Sequence, residues 1–133
     1  MSDALRAIRT EAAPAPVAGA PYSQAIVAGG FVFVSGQVPV DAATDALVAD
    51  DITAQTAQVL ANVAAVLAAA GGTLSDVVKS TVFLVDLATD FAPMNGAYAE
   101  AFGDHAPARS TVGVAALPLG ARVEIEIIAR IGG

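Results

Sequence analysis

The stretch DITAQTAQVLANVAAVLAAAGG, residues 51–72, decides the fold because it predicts a long helix with one apolar face. Asp50, Asp51 or Thr53 can cap its start and place acidic side chains at the positive end of the helix dipole. Gly71-Gly72 is typical of a helix end. The side chains at helical spacing form one stripe, which must be covered by other elements. The stripe consists of Ile52, Thr56, Val59, Leu60, Val63, Val66, Leu67 and Ala70.

Strand-like segments come before this helix. Ser23–Ala28 and Phe31–Val38 are rich in strand-forming residues, and the glycines at 29 and 30 favour a tight hairpin turn between them. We expect short strands also near Leu5–Arg9 and Ala46–Val48. The Pro/Ala-rich arm from Ala12 to Ala20 is expected to be an ordered loop.

Strands and a second helix alternate after it. Val77–Leu87 predicts a strong strand, and a helix follows from about Thr89 or Asp90 to the stop at Gly103. Two final strands, Arg109–Leu117 and Ala121–Ile131, are joined by a Pro-Leu-Gly turn. The second helix is expected to bury Phe91, Met94, Tyr98 and Phe102.

The strands carry apolar residues on more sides than two helices can cover. Along Ala121–Ile131 one face is apolar, as expected for packing under helices. In the middle strand, Val77, Thr81, Phe83, Val85 and Leu87 fall on one side, and Val78, Val82 and Leu84 fall on the other. Self-association is the simplest cover for the second face, although periodicity does not give the number of copies.

Composition narrows the class of protein. A chain of 133 residues fits one domain, spanning 1–133. It is 56% hydrophobic and 14% charged, but it has no unbroken run of about 18 apolar residues and no secretory pattern. We therefore expect a cytoplasmic protein. The net charge of −7 argues against nucleic acid or an anionic membrane as partner, and the absence of cysteine excludes disulfides and thiol catalysis.

One basic residue points to a binding site. Arg109 is among only six lysines and arginines, and it lies among strand-forming neighbours just after Pro107. A buried guanidinium needs a partner or a ligand, and its two parallel donors suit a carboxylate. Glu124 lies on what the sequence predicts to be the next strand. The pattern predicts a small acid held by Arg109, with Glu124 near enough for proton chemistry.

Six short motifs resemble the RidA family, the reactive intermediate (enamine/imine) deaminases also called YjgF proteins. The resemblance runs over essentially the whole chain, and the Pro-Ala-Arg-Ser segment is its most specific part. The motifs are Pro21-Tyr22-Ser23-Gln24-Ala25, Ser35-Gly36-Gln37, Val78-Lys79-Ser80-Thr81-Val82-Phe83-Leu84, Met94-Asn95, Pro107-Ala108-Arg109-Ser110 and Val123-Glu124-Ile125-Glu126.

The resemblance implies a fold and an assembly. It implies a compact α+β subunit with a mixed sheet of about six strands and two helices on one face, similar to chorismate mutase. It also implies a homotrimer with sites in clefts between subunits and no cofactor or metal. The lone histidine, His105, is expected to be a solvated loop residue.

The implied reaction is hydrolysis of 2-imino acids, such as 2-iminobutanoate and 2-iminopropanoate, to 2-keto acids and ammonia. PLP enzymes supply these intermediates. Arg109 matches the family's carboxylate ligand, and Glu124 matches its water-activating carboxylate. The remaining candidates for substrate binding are Tyr22, Ser35, Gly36, Asn95 and Thr111. Gly36 would allow a close approach to the backbone, and Thr111 would offer its backbone N–H.

The chain departs from the family pattern in places. Thr111 stands where many members have cysteine, Ala57 replaces a common arginine, and Ala20 replaces the usual glycine before Pro21. The segment between Tyr98 and Pro107 is short, which bears on substrate size.

Other readings remain open. Arg109 can be a structural arginine, Tyr22 an ordinary half-buried tyrosine, Ser35 a plain strand serine and Asn95 a helix-end hydrogen-bonding residue. The same fold can serve as a non-catalytic module that binds a small carboxylate and regulates an enzyme. An endoribonuclease or translation inhibitor is disfavoured by the acidic charge. A related step in pyrimidine breakdown is not separable by these motifs.

Overall fold

The computed structural model describes residues 5–132 and contains a six-stranded sheet with two helices on one face. The strand order is β1-β2-β3-β8-β6-β7, and all neighbours are antiparallel except β6 and β7. This architecture confirms the predicted α+β fold. The elements are β1 (Arg6–Ile8), β2 (Ala25–Ala28), β3 (Phe31–Gln37), β4 (Val40–Asp41), β5 (Ala46–Leu47), α1 (Ile52–Ala70), β6 (Val77–Leu84), α2 (Leu87–Phe102), β7 (Ala108–Gly113) and β8 (Val123–Arg130).

Helix α1 forms the centre of the core. The Asp51 carboxylate accepts a hydrogen bond from the backbone N–H of Ala54 at 2.8 Å, and Gly71 ends the helix with a φ of 92°. Every member of the predicted stripe is buried. By length and composition α1 would also pass as a membrane span, but its stripe packs against the sheet as in a core helix.

Helix α2 begins earlier than predicted. Asp86 caps it by accepting a hydrogen bond from the N–H of Thr89 at 3.2 Å, so strand β6 ends at Leu84 and not at Leu87. The expectation that Phe91 is buried was wrong, because its side chain is 42% exposed. The other predicted core residues of this helix are buried: Met94, Tyr98 and Phe102.

The last two strands are not neighbours, contrary to the prediction. Strand β7 pairs in parallel with β6, after a crossover through α2, and β8 lies on the other side of β6. The chain between β7 and β8 is a nine-residue excursion, residues 114–122, and not a hairpin. Both strands are shorter than predicted for the same reason: the Pro-Leu-Gly segment is part of this connection.

A β-bulge changes which residues of β6 face the core, compared with the prediction from simple alternation. The pairing with β8 slips between Val77 and Lys79, so Val78 is an extra residue. Val77 therefore points into the core with Val82 and Leu84, while Val78 is 43% exposed. Simple alternation cannot detect this shift.

The sheet has one covered and one open face. The helix-side residues of β8 are buried, as predicted, whereas Phe31 and Phe33 on the opposite face of β3 are 38% and 46% exposed. We call this uncovered side the open face. Its cover by another copy of the chain stays a prediction.

The N-terminal arm is tied to the sheet by one buried side chain. The Gln24 amide accepts a hydrogen bond from the N–H of Thr10 at 2.7 Å and donates one to the carbonyl of Pro14 at 2.8 Å. Gln24 is 4% exposed, so these bonds satisfy a buried amide. They hold the arm beside the end of β3, where it forms one wall of a cleft.

Candidate active site

Arg109 lies on the helix side of β7 against the aromatic rings of α2. Its guanidinium carbon is 4.8 Å from the ring centroid of Tyr98 and 5.8 Å from that of Phe91. Such contacts stabilise a cation by about 0.5–2 kcal/mol and fix the plane of the guanidinium. Among residues 5–132, Arg109 forms no ion pair with a carboxylate. Its hydrogen-bond donors are therefore available to an anionic ligand.

Tyr98 is itself held firmly. Its hydroxyl lies 2.6 Å from the hydroxyl of Ser80, and only 7% of the residue is exposed. Burial raises the pKa of Tyr98, while the hydrogen bond between Tyr98 and Ser80 and the charge of Arg109 act in the opposite direction. A neutral, anchored phenol gives Arg109 a rigid platform.

Two further predicted residues lie with Arg109. Thr111 is two residues further along β7 and so shares its face, and Asn95 lies between Phe91 and Tyr98 on α2. The Oγ1 of Thr111 and the Oδ1 of Asn95 are buried, and neither has a hydrogen-bond partner in the part of the chain that the structure describes. We call Arg109, Asn95, Thr111, Phe91 and Tyr98 the arginine cluster.

Glu124 lies on the open face. It alternates along β8 with the fully buried Val123 and Ile125. Its carboxylate packs directly on Gly36, where an added Cβ would come within 2.8 Å of the carboxyl carbon. Burial raises the pKa of Glu124 above its ordinary value, and the neighbouring Glu126 carboxylate raises it further. The absence of a side chain at Gly36 therefore makes room for the Glu124 carboxylate. From the sequence, it was expected to make room for a ligand.

A second bulge shapes the strand beneath Glu124. The register of β3 against β8 shifts between Val34 and Gln37, which turns Ser35 and Gly36 out of regular alternation. The Ser35 hydroxyl donates to the carbonyl of Ser23 at 2.6 Å and so joins β3 to the segment before β2. The sequence left open whether Ser35 was structural, and this bond gives it a structural part.

Tyr22 lines the same cleft as Gly36. Its hydroxyl accepts a hydrogen bond from the N–H of Val17 at 2.7 Å, which leaves the phenolic proton free to be donated. Tyr22 is 41% exposed, and with Gly36 it lines a cleft of about 340 Å³ between the arm and the 118–120 turn. We call Glu124, Gly36, Ser35 and Tyr22 the glutamate cluster.

The two clusters do not meet within one chain. Within one chain Glu124 does not lie close to Arg109, because β6 separates their strands and their side chains occupy opposite faces. That the two residues meet in a cleft between subunits stays a prediction. Two strand spacings alone separate the backbones by about 10 Å. Within one chain, the two clusters therefore lie on different surfaces.

The sequence did not predict that the rings of Phe91 and Tyr98 contact Arg109, and the prediction that His105 is solvated was wrong. Phe91 and Tyr98 were assigned only to the core, and their helical spacing gave no sign that a cation lies over them. The His105 Nε2 is 2.7 Å from the carbonyl of Val77, so this side chain is half-buried and hydrogen-bonded and not solvated. No three histidine, aspartate or glutamate side chains of residues 5–132 come together as a metal site.

Comparison with known proteins places this α+β fold and its motifs in a family. The family model described as Endoribonuclease L-PSP matches residues 10–131. A RutC family protein of Pyrococcus horikoshii is 53% identical over 122 residues, which are 92% of this chain and 94% of that protein. The 2-iminobutanoate/2-iminopropanoate deaminase of Salmonella typhimurium is 48% identical over 127 residues, 93% of this chain and 96% of that protein.

A solved structure agrees. The crystal structure of a Rid family protein from Yersinia pestis superposes with a TM-score of 0.91 at 46% identity, covering 96% of this chain and all of that one. The fold and these similarities define a small α+β protein of the Rid class. The chain belongs to the RidA family, also called YjgF, whose members include named deaminases.

Proposed function

We propose that the protein is a 2-imino acid deaminase that hydrolyses reactive enamine/imine intermediates to 2-keto acids and ammonia. The observation that carries this proposal is Arg109, a guanidinium fixed on two aromatic rings with no carboxylate partner among residues 5–132. Such a group is suited to bind the carboxylate common to all 2-imino acids. The Salmonella typhimurium relative named as a deaminase acting on such substrates supports the same chemistry.

The reaction uses Arg109 and Glu124 in separate roles. Arg109 holds the substrate carboxylate and so orients the imine carbon. Glu124 accepts a proton from water as the oxygen attacks C2, and a carbinolamine forms. That proton then passes to the nitrogen, the regenerated Glu124 carboxylate takes the hydroxyl proton as the C–N bond breaks, and the keto acid and ammonia leave. A base with a raised pKa is better matched to proton transfer near neutral pH, and such catalysis contributes about 10²–10⁴-fold.

The site requires a second copy of the chain. The arginine and glutamate clusters lie on opposite faces of the sheet, so no single protomer can offer both to one small molecule. The open face carries exposed phenylalanines that another copy would cover. A homotrimer, with Arg109 of one subunit facing Glu124 of the next, satisfies both requirements.

The expected setting follows from this chemistry. The substrates are released by PLP enzymes, so the protein is expected to act in the cytoplasm beside them. The residues of the two clusters supply a carboxylate ligand and a base, and hydrolysis of an imine requires nothing more. The reaction is thus proposed to be independent of metal, flavin and nucleotide.

A coupled assay tests the proposal. An amino-acid oxidase or threonine dehydratase generates the imine while semicarbazide traps what accumulates, and the wild type should lower the trapped signal. Arg109→Ala should reduce kcat/KM by about 10- to 100-fold, the value of a charge-assisted pair. Arg6→Ala removes the same charge from an exposed position on β1 and should match the wild type.

Other outcomes identify the rival functions. If the assembled wild type leaves trapping unchanged with both small and bulky imino acids, the deaminase proposal fails, and a regulatory carboxylate-binding module becomes the better account. RNA cleavage, which the family description names, is poorly matched to a chain with a net charge of −7. Ribonuclease activity abolished by Arg109→Ala would contradict that judgement.

A further inference from the structure

The cleft that Tyr22 and Gly36 line has an apolar wall, and we call it the arm cleft. It is lined by arm residues 14–19, by Tyr22 and Gly36, and across from them by Leu119 of the 118–120 turn. Its volume of about 340 Å³ falls in the range of small-molecule sites. Gly36 both lines the cleft and packs against the Glu124 carboxylate, so the cleft and the proposed base share this residue.

Backbone strain is concentrated around the same cleft. Among residues 5–132, three non-glycine residues have positive φ: Ala18 at 53°, Asp45 at 57° and Leu119 at 62°. All three line the arm cleft. Aspartate tolerates this conformation, but it is unusual for a bulky residue such as leucine. Strained residues cluster where a site must be shaped for a ligand.

Leu119 is both strained and exposed. It lies between Pro118 and Gly120, and a hydrogen bond from the N–H of Ala121 to the carbonyl of Pro118 at 3.1 Å closes the turn around it. Its side chain is 57% exposed. An exposed leucine in a disfavoured backbone conformation contributes little to the stability of the fold. Its position is better explained by contact with a ligand.

We propose that the arm cleft receives the side chain of the substrate and that Leu119 makes branched aliphatic 2-imino acids better substrates than the methyl homologue. This inference rests on the proposed function. The arm contributes prolines, alanines and a valine to the wall, and each substrate CH₂ that contacts such a surface favours binding. Asp45 at the rim disfavours acidic side chains by charge repulsion.

The test compares two imines with the same assay. An amino-acid oxidase generates 2-imino-4-methylpentanoate from leucine and 2-iminopropanoate from alanine, and kcat/KM is measured for each. Wild type should favour the leucine-derived imine. Leu119→Ala should lower the leucine-to-alanine ratio by about three- to tenfold, because a partly exposed contact is lost. Leu119→Met, which rebuilds the apolar volume, should restore most of the ratio.

A matched variant controls for loss of an exposed leucine. Leu5→Ala removes the same atoms from a residue that is 72% exposed and outside the cleft, and it should keep the wild-type ratio. The inference is overturned if Leu119→Ala remains folded and active with an unchanged ratio, or if Leu5→Ala changes the ratio equally.

Binding measurements separate this inference from the proposed function. The Kd values of 4-methyl-2-oxopentanoate and pyruvate are compared for wild type and Leu119→Ala by calorimetry. If the wild type hydrolyses neither imine but prefers the branched keto acid, and Leu119→Ala loses that preference, the cleft assignment stands and the deaminase proposal fails. If the wild type hydrolyses the imines but neither the kcat/KM ratio nor the Kd ratio depends on Leu119, the deaminase proposal stands and the cleft assignment fails.

Discussion

Arg109 and Glu124 are candidates for catalysis because of what surrounds each of them, and their surroundings differ. Arg109 has two aromatic rings beneath it and, among residues 5–132, no carboxylate partner. Glu124 is half-buried over a glycine, with a second carboxylate two residues away. The first setting prepares a cation for an anionic ligand. The second prepares a carboxylate that takes up protons more readily than usual.

The raised pKa of Glu124 fixes the sign of its effect on stability. The pKa of Glu124 in the folded state lies above its value of about 4.5 in the unfolded state. Between these two pH values, the folded state therefore binds a proton at Glu124 more fully than the unfolded state does. Its contribution to stability therefore falls as pH rises through that interval. Ionised Glu124 costs stability at neutral pH, which is expected of a functional residue and not of a structural one.

Replacing Glu126 tests this electrostatic account at the level of one residue. Glu126→Gln removes the like charge, so the pKa of Glu124 should fall and the acid limb of the kcat/KM profile should move to lower pH. The shift should be partial, because burial is the larger cause. The measurement is the pH profile of imine hydrolysis from pH 4 to 8.

Glu100→Gln is the control for that variant. It removes one negative charge from an exposed position on α2, away from Glu124, and should leave the acid limb in place. An acid limb that is identical in wild type and Glu126→Gln would show that another group sets the profile.

The sequence predicted which residues to inspect but not how they are grouped. Arg109 and Glu124 were found from charge in an apolar context and from the family motifs. Their separation was not predictable, since strand alternation assigns a residue to a face only relative to its own strand. The unpartnered Asn95 Oδ1 and Thr111 Oγ1 depend on the packing of α2 against β7, which no local pattern reports.

At the scale of elements, the pattern predicted helices better than strand neighbours. The stripe of α1 determined its length and its buried face, because a period of 3.6 residues is a strong signal over 19 residues. The insertion of β6 between β7 and β8 was missed because chain order suggests a hairpin wherever a turn joins two strands. Bulges at Val78 and after Val34 were also invisible to simple alternation.

Gly36 on β3 gives an element-scale prediction. In Gly36→Ala the new methyl would overlap the Glu124 carboxylate, which is the mobile end of a side chain and can move aside. Stability should therefore change by less than about 1 kcal/mol, whereas kcat should fall by at least about tenfold because a small displacement of a catalytic group is costly. Thermal unfolding and steady-state kinetics on the same samples check both parts.

Gly96→Ala provides the comparison. Gly96 lies within α2 with no atom within 4 Å of an added Cβ, so alanine should retain full activity and raise stability by about 0.5–1 kcal/mol. If Gly36→Ala were as active as the wild type, the position of the Glu124 carboxylate over Gly36 would not matter for catalysis, and the prediction would be contradicted.

At the scale of the whole molecule, the chain folds around one core, but its two proposed catalytic residues lie on different surfaces. One core unites both helices with the covered face of the sheet. The open face and the separation of the two clusters are the reasons for proposing that the chain assembles with copies of itself. In the proposed mechanism, assembly is a condition of catalysis, with Arg109 and Glu124 supplied by different subunits.

The most direct test mixes two inactive variants. Arg109→Ala and Glu124→Gln are prepared separately, combined in equal amounts, unfolded and refolded together, and assayed for imine hydrolysis. If the two residues come from different subunits, random mixing restores about one quarter of the sites, because each working site needs one copy of each variant in the right order. Recovery of about a quarter of wild-type activity is the predicted result. Mixed oligomers that form and stay as inactive as the separate variants would contradict a site shared between subunits.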